Sequence, residues 1–405
     1  MNKRPASAVD VSKMQTPAFV IEETLLRHNL GILKYIREKT GAKVLHALKA
    51  YATWELLPME REYIDGTEAS SLNEARLGYE EFGAEVHMFA PAYKEEEFED
   101  VMKYCSTIIF NSFAQWKKFK PQVEAYKAKA GKEIECGLRI NPEYSGPSEH
   151  GNLWSPTAPG SRLGVRISEF NAGLAADPNA LAGISGLHFH IFFEKDLADL
   201  RAALPVIEEK FGEYFKHMEW VNFGGGLKLT DDSADVEGYI ETINAFQKKH
   251  DVHVHLEPGA AIAWWAGSLV ATVLDIIERD DVPHKIAVLD ISFENHLTDF
   301  FVSPDIDLKV RGADIERDDS KLAGKNAYKL GGMTCIAGDQ MPYAHIFPSQ
   351  LKIGDKIVID DAIQYTLIKC TMFNGVQHPA IQLWKDGAPK TLREFTYEDY
   401  RARMG

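Results

Sequence analysis

At 405 residues, 45% of them hydrophobic and 26% charged, the chain has the make-up of a globular protein of about two domains. A formal net charge of −15 argues against nucleic acid as a partner, and no apolar run approaches the ~18 residues of a membrane span. Four cysteines (Cys105, Cys136, Cys335 and Cys370) show no paired spacing, which argues against a disulfide framework or a zinc site and fits a reducing cytoplasm.

The start, "MNKRPASAVDVSKMQTPAFV", carries basic residues with no continuous apolar segment behind them, so no signal peptide is expected. The early "QTPAFVIEE" (Gln15 to Glu23) reads as a strand. Strand-like and helix-like segments then alternate. The strand candidates are "KVLHALK", "GTEASS", "EVHMFA", "TIIFNS", "ECGLRIN", "GLHFHIF", "WVNFGGG" and "VHVHLEPG". They begin near Lys43, Gly66, Glu85, Thr107, Glu135, Gly186, Trp220 and Val252. Between them, segments such as "EKDLADLRAALPVIEEKFGEYF" carry apolar residues at helical spacing. Such alternation means parallel strands with crossover helices, and eight of them close a (β/α)8 TIM barrel. One long loop rich in Gly, Pro and Ser, Asn141 to Gly164, breaks the rhythm; loops of that length usually have a function. After about Val282, short β-type runs split by turn residues read as an all-β domain. The expectation is a barrel over 24–281 and a discontinuous β domain over 1–23 plus 282–405, joined by the N-terminal strand.

In barrels of this kind the active residues stand at the carboxyl ends of the strands. Those ends supply Lys49, Glu68, Asn111, Arg139, His190, Gly224 to Gly226 and Glu257. In "VLHALKAYATWELL", Lys49 follows a buried apolar run, where an ammonium is seldom left unpaired. It either snorkels to solvent or serves as a nucleophilic amine. The run "NFGGG" either leaves backbone N–H groups free to meet a phosphate or makes a mere turn. His188 and His190 share one strand face, but no third ligand of fixed spacing accompanies them, so no metal is expected. His253 and His255 read as residues packed within the barrel. A lysine, an anion cradle and the Glu257 carboxylate on one face suggest pyridoxal 5′-phosphate.

The motifs "HALKA", "LRINPEYS", "APGSRLG", "GLHFH", "NFGGG", "EPG", "LDISF" with "HLTD", "TCIAGD" and "GVQHP" run over nearly the whole chain. They resemble those of the fold-type III decarboxylases that use pyridoxal 5′-phosphate, the group of the ornithine, arginine and diaminopimelate decarboxylases. "RINPEYS", "APGSRLG" and the cysteine of "TCIAGD" are similar to the carboxynorspermidine/carboxyspermidine decarboxylase branch. The resemblance implies an alanine racemase-like barrel and a homodimer with shared active sites. By it, Lys49 carries the cofactor and His190 stacks on its ring. Gly224, Gly225, Gly226 and the backbone after Glu257, at Gly259 and Ala260, hold the phosphate, helped by Tyr365. Glu257 pairs with the pyridine nitrogen, with Arg139 and Glu74 nearby. Cys335 protonates the α-carbon in the partner's site, and Asp299 meets the substrate's distal amine; both, like Glu257, face the substrate. The implied activity is decarboxylation of a small polyamine precursor. A diaminopimelate-type basic amino-acid decarboxylase and a cofactor-free binding protein are the alternatives. Three departures from many relatives bear on the substrate: "HIFFE" in place of a Gly-Ser after the histidine, Ala260 in place of a charged residue, and "NHLTD" in place of a cysteine-bearing loop.

Overall fold

A computed structural model describes residues 3–147, 155–303 and 306–405, so part of the long loop expected over Asn141 to Gly164 lies outside the described residues. Strand β1 (Ala18–Glu22) comes first in the chain. After it come β2 (Lys43–Ala47), β3 (Gly66–Ala69), β4 (Glu85–Phe89), β5 (Thr107–Phe110) and β6 (Glu135–Asn141). A two-residue β7 (Val165–Arg166) precedes β8 (Gly186–His188), β9 (Trp220–Asn222) and β10 (His253–Leu256). Parallel pairing runs β2-β3-β4-β5-β6-β8-β9-β10, and β10 returns to β2, which closes an eight-stranded barrel. Every residue of β3, β5, β8 and β9 is buried, as expected of parallel strands covered on both faces.

The connecting helices start where the sequence supplies caps. Asp196 accepts from the N–H groups of Ala198 and Asp199 at the head of the helix Leu197–Phe215. That helix buries Leu197, Leu200, Leu204, Ile207, Phe211 and Phe215, one stripe at helical spacing. Inside the barrel, the glycines of "ECGLRIN" and "GLHFH" make room for one indole. A Cβ at Gly137 would stand 2.4 Å from the Trp220 ring, and one at Gly186 only 2.1 Å from it.

The second sheet contains β11 (Gly267–Ile277), β12 (Lys285–Leu289), β13 (Asp314–Glu316), β14 (Ala327–Gly331), β15 (Ala344–Ile346), β16 (Lys356–Asp360), β17 (Ala380–Lys385) and β18 (Ala388–Arg393). Its order is β13-β15-β14-β12-β11-β1-β17-β18, with β16 also paired to β11. The first strand of the chain lies between β11, antiparallel to it, and β17, parallel to it. The chain divides into residues 29–262 and residues 4–28 with 263–405. β11 lies within the span expected for the barrel, yet it pairs in the second sheet. Eight strands already close the barrel, so a ninth finds no edge there and must pair elsewhere.

Candidate active site

β2 ends at Ala47, and the chain then turns: Ala50 N–H donates to Ala47 O (3.2 Å) and Tyr51 N–H to Leu48 O (3.1 Å). Ala47 N–H is bound to Pro258 O (3.0 Å) and Leu48 N–H to Glu68 O (3.0 Å). Backbone on both sides of β2 thus fixes where Lys49 emerges. Ala47, Leu48 and Ala50 are buried, while the Lys49 side chain keeps 33% exposure. Its Nζ lies 3.9 Å from Glu68 Oε2. The amine is at a buried mouth beside a carboxyl group.

Two buried carboxyls flank this mouth and titrate in opposite directions. Burial pushes Glu68 up; Lys49 and Arg139 oppose that, Glu257 and Glu74 add to it, and the group settles at about 8. Glu68 Oε2 has no hydrogen-bond partner among the described residues. Burial acts on Glu257 in the same sense, but His188, Lys49 and His190 outweigh it and hold this carboxyl well below the usual range. Glu257 Oε1 also accepts from Asn222 Nδ2 at 2.7 Å, and Oε2 lies 3.4 Å from His188 Nε2. Donors decide the difference. Glu257 has them and stays ionised, whereas Glu68 Oε2 has none among the described residues and burial raises that carboxyl to about 8.

His190 follows β8 and is fixed from two sides. Its Nδ1 accepts from Gly225 N–H (2.9 Å), which leaves the ring proton on Nε2, and its carbonyl accepts from Arg139 Nη2 (2.8 Å). Burial, then the positive charges of Lys49 and Arg139, hold the imidazole well below its ordinary value. Arg139 is itself buried and lies 4.4 Å above the Phe89 ring; desolvation lowers it to about 10 against the pull of Glu257 and Glu68.

The glycine run is tight against its neighbours. A Cβ at Gly225 would stand 2.1 Å from Glu257 O, and one at Gly226, whose φ is +85°, would stand 2.1 Å from Phe192 O. Gly224 N–H donates to Asn222 Oδ1 (2.8 Å), and Gly225 N–H to His190 Nδ1. The N–H groups of Gly224 and Gly225 are thus already taken, because a buried turn satisfies its own amides first, and among the described residues only the Gly226 amide of the three is left for a phosphate. Gly259 packs close to Ala50, and Ala260 opens the short helix Ala260–Ala263. An amine, an imidazole, an ionised carboxylate and the Gly226 amide form a set that fits pyridoxal 5′-phosphate.

Other expected residues serve local structure. Glu74 Oε2 accepts from Ser70 N–H (2.7 Å), and Glu74 N–H donates to Ser71 Oγ (3.3 Å), so Ser71 caps the helix Leu72–Leu77 and Glu74 ties back the residue before it. Asn111 ties down the loop before β7, donating to Arg162 O (2.8 Å) and accepting from Gly164 N–H (2.7 Å). Of the alternating pair at β10, His255 is buried and stacks on Trp220 at 4.9 Å, but His253 is exposed, because it sits at the first residue of the strand.

In the second unit, Asp299 is bound through both oxygens by Lys369 Nζ, at 2.6 and 2.8 Å. Lys369 Nζ also lies 5.2 Å from the centre of the Tyr365 ring, and Tyr365 has a φ of +52°. Cys335 is exposed, with its N–H bound to Asn374 Oδ1 (2.9 Å). Burial pushes the other three thiols up to about 12, which leaves them inert.

Three contributors escaped sequence reasoning. Asn222 and His188 set the charge of Glu257, and the only sequence signal is that they sit in "NFGGG" and "GLHFH". Asp339, the last residue of "TCIAGD", accepts from Phe293 N–H (2.6 Å) and from Thr334 N–H and Oγ1 (3.0 and 2.7 Å), binding the cysteine loop to residues 292–294.

A closed parallel barrel with this mouth, and a separate sheet built around the first strand of the chain, define the fold-type III decarboxylase class. No family model matches the chain. It is 41% identical over 399 residues to a carboxynorspermidine/carboxyspermidine decarboxylase of Campylobacter jejuni, covering 96% of this chain and 99% of that protein. It is 40% identical over 398 residues to a carboxyaminopropylagmatine decarboxylase of Synechocystis sp., covering 98% and 97%. The crystal structure of carboxynorspermidine decarboxylase complexed with norspermidine, from Campylobacter jejuni, superposes with a TM-score of 0.84 at 40% identity, over 96% of this chain and all of that one. The chain belongs to the carboxynorspermidine/carboxyspermidine decarboxylase family.

Proposed function

We propose that the chain is a carboxy-lyase of polyamine biosynthesis that removes CO2 from carboxynorspermidine and carboxyspermidine, with pyridoxal 5′-phosphate held on Lys49. In a chain of this family, the observation that carries the reading is a lysine amine sharing one buried mouth with a carboxylate, Glu257, kept ionised by Asn222 and His188. Bound there, the cofactor supplies a carbonyl for the substrate amine and an electron sink for the bond to the departing carboxylate. Glu257 holds a proton on the pyridine nitrogen by charge pairing. His190, oriented by Gly225 and Arg139, offers a neutral ring face to stack on. Gly226, Gly259 and Ala260 meet the phosphate, joined by the Tyr365 hydroxyl. The mouth desolvates the departing carboxylate, whose charge disperses as CO2 forms. Cys335 returns a proton to the α-carbon, and Asp299 holds the distal cation. The working form is a homodimer in the cytoplasm, with Cys335 serving the partner's site. Among the described residues no helix is long and apolar enough to cross a membrane.

The Synechocystis relative supports a second reading, a substrate with a distal guanidinium, whose planar fork matches a carboxylate through both oxygens. A CO2-release panel separates these. Carboxynorspermidine and carboxyspermidine should give the highest kcat/KM, above carboxyaminopropylagmatine and far above diaminopimelate and ornithine. A preference for diaminopimelate sinks the proposal, and absence of both CO2 and a visible cofactor band marks a binding protein. Sharing of sites has its own test. Mixed Lys49→Ala and Cys335→Ala subunits, each inactive alone, should regain activity, and no recovery means that each subunit works unaided.

A further inference from the structure

We propose that Lys369 is a resident counter-cation of Asp299 that the substrate's distal ammonium must displace, so that Lys369 sets how strongly the site discriminates for long, multiply charged substrates. The inference rests on the reading of Asp299 as the residue that holds the distal cation. Lys369 Nζ reaches both Asp299 oxygens, at 2.6 and 2.8 Å, and the two side chains keep 37% and 26% exposure. A half-buried carboxylate without a partner is costly, and in the absence of a ligand cation the lysine removes that cost.

The pair is held in place by its flanks. Asn295, in the short helix Phe293–His296 just before Asp299, accepts through Oδ1 from Thr371 Oγ1 (2.7 Å) and Phe373 N–H (3.1 Å) and donates through Nδ2 to Phe373 O (3.1 Å). Its carbonyl accepts from Thr371 N–H at 2.9 Å. The segment that carries Lys369 is thereby fastened to the segment that carries Asp299. Lys369 N–H is bound to Tyr365 O (3.0 Å), and the ammonium lies 5.2 Å from the Tyr365 ring centre. The backbone holds the root of the lysine firmly, but its four-carbon stem can swing the ammonium aside without moving Asp299.

Both cations seek the same oxygens, so a ligand ammonium gains only the difference between its own contact and the one it replaces. A short substrate with no distal charge cannot make the exchange and leaves the pair closed. Lysine in this position therefore weakens binding of every long substrate by a constant factor while keeping the empty site satisfied. Part-exposed ion pairs of this kind correspond to roughly 1.5- to 5-fold in an equilibrium constant.

The test uses the full-length holoenzyme, with norspermidine binding followed by calorimetry and carboxynorspermidine turnover followed by CO2 release. Lys369→Met should lower the norspermidine Kd and the carboxynorspermidine KM by roughly 1.5- to 5-fold, and Lys369→Arg, which keeps a cation there, should stay close to the wild type. Asp299→Ala should raise both constants and erase the effect of Lys369→Met in the double variant. If Asp299→Ala raises both constants but Lys369→Met raises them or leaves them unchanged, the counter-cation proposal is overturned and the role of Asp299 stands. If Asp299→Ala changes neither constant, the substrate role of Asp299 falls, and the proposal falls with it.

Discussion

Lys43 and Glu85, at the first residues of their strands, form one cluster with His87 and His255 from inside theirs; Lys49, Glu68, His188 and Glu257, toward or just beyond the carboxyl ends, form another. The residue types are the same, but the outcomes differ. Glu85 is bonded to both Lys43 and His87 (3.2 Å to Nε2) and keeps 43% of its side chain exposed. The His87 hydrogen bond, then that of Lys43, overcome burial and bring its carboxyl down to about 2. Around it His255, depressed first by burial and then by the neighbouring His87 and Lys43, stays neutral against the Trp220 ring. That end is a part-exposed ion pair over packed aromatics. At the other end one carboxyl, Glu257, takes the donors, and Glu68 is left buried at 3.9 Å from an amine and raised to about 8. Unlike titrations side by side at one mouth are the mark of a site that does chemistry, and the barrel confines them to the carboxyl end.

The contrast can be broken most sharply at Glu257. An opposite charge moves the pKa of a neighbouring group by about 1–3 units, so Glu257→Gln should cut kcat by roughly 10- to 1000-fold while the cofactor remains bound through its phosphate. Stopped-flow or steady-state CO2 release measures this, and an unchanged kcat would reduce Glu257 to a strand-end carboxylate.

Glu68 offers a test by stability. Its folded value near 8 stands above the ordinary 4.5, so the folded chain binds the extra proton between those values and loses stability as pH rises through them. Glu68→Gln removes that loss. Between about pH 5 and about pH 9 the variant should gain on the wild type by on the order of a few kcal/mol in urea unfolding. A constant offset across that range would mean that Glu68 titrates as an ordinary carboxyl.

The smallest effect belongs to the amino end, where the sign reverses. The folded value of Glu85, near 2, lies below the ordinary one, so its contribution is present above about pH 4.5 and fades as pH falls through about 2. Because the pair is half exposed, Glu85→Gln should cost less than about 1 kcal/mol at neutral pH, shrink further in high salt, and leave turnover unaltered. A large fall in kcat from this substitution would erase the distinction between the two ends.

Much of this architecture was legible before the structure. Seven of the eight barrel strands begin at the residue read from the sequence, and the eighth begins at His253, one later. The buried run ahead of Lys49 marked the mouth, and "EPGA" placed Glu257 there. Three points were not legible. β11 is not among the strands read from the sequence, and its residues fall inside the 24–281 span expected for the barrel, yet it pairs in the second sheet. Gly224, Gly225 and Gly226 read as equivalent until Asn222 and His190 claim two of the three amides. Asp299 reads, by resemblance, as the partner of a substrate's distal amine, and nothing in the string shows that Lys369, 70 residues away, already binds it.

By itself the sequence determined what depends on near neighbours: the alternation of strand and helix, the caps, and the placing of Lys49, His190 and Glu257 at or just beyond strand ends. Periodicity and capping act over a few residues, so they can be read from a string. Only the tertiary structure decided which carboxyl is raised and which lowered, which amides remain free, and which sheet receives a strand. Asn222 meets Glu257 across 35 positions of sequence. Desolvation and pairing depend on which groups arrive from such distances, because the charge state of a buried group is set by all its neighbours at once and by the water they exclude.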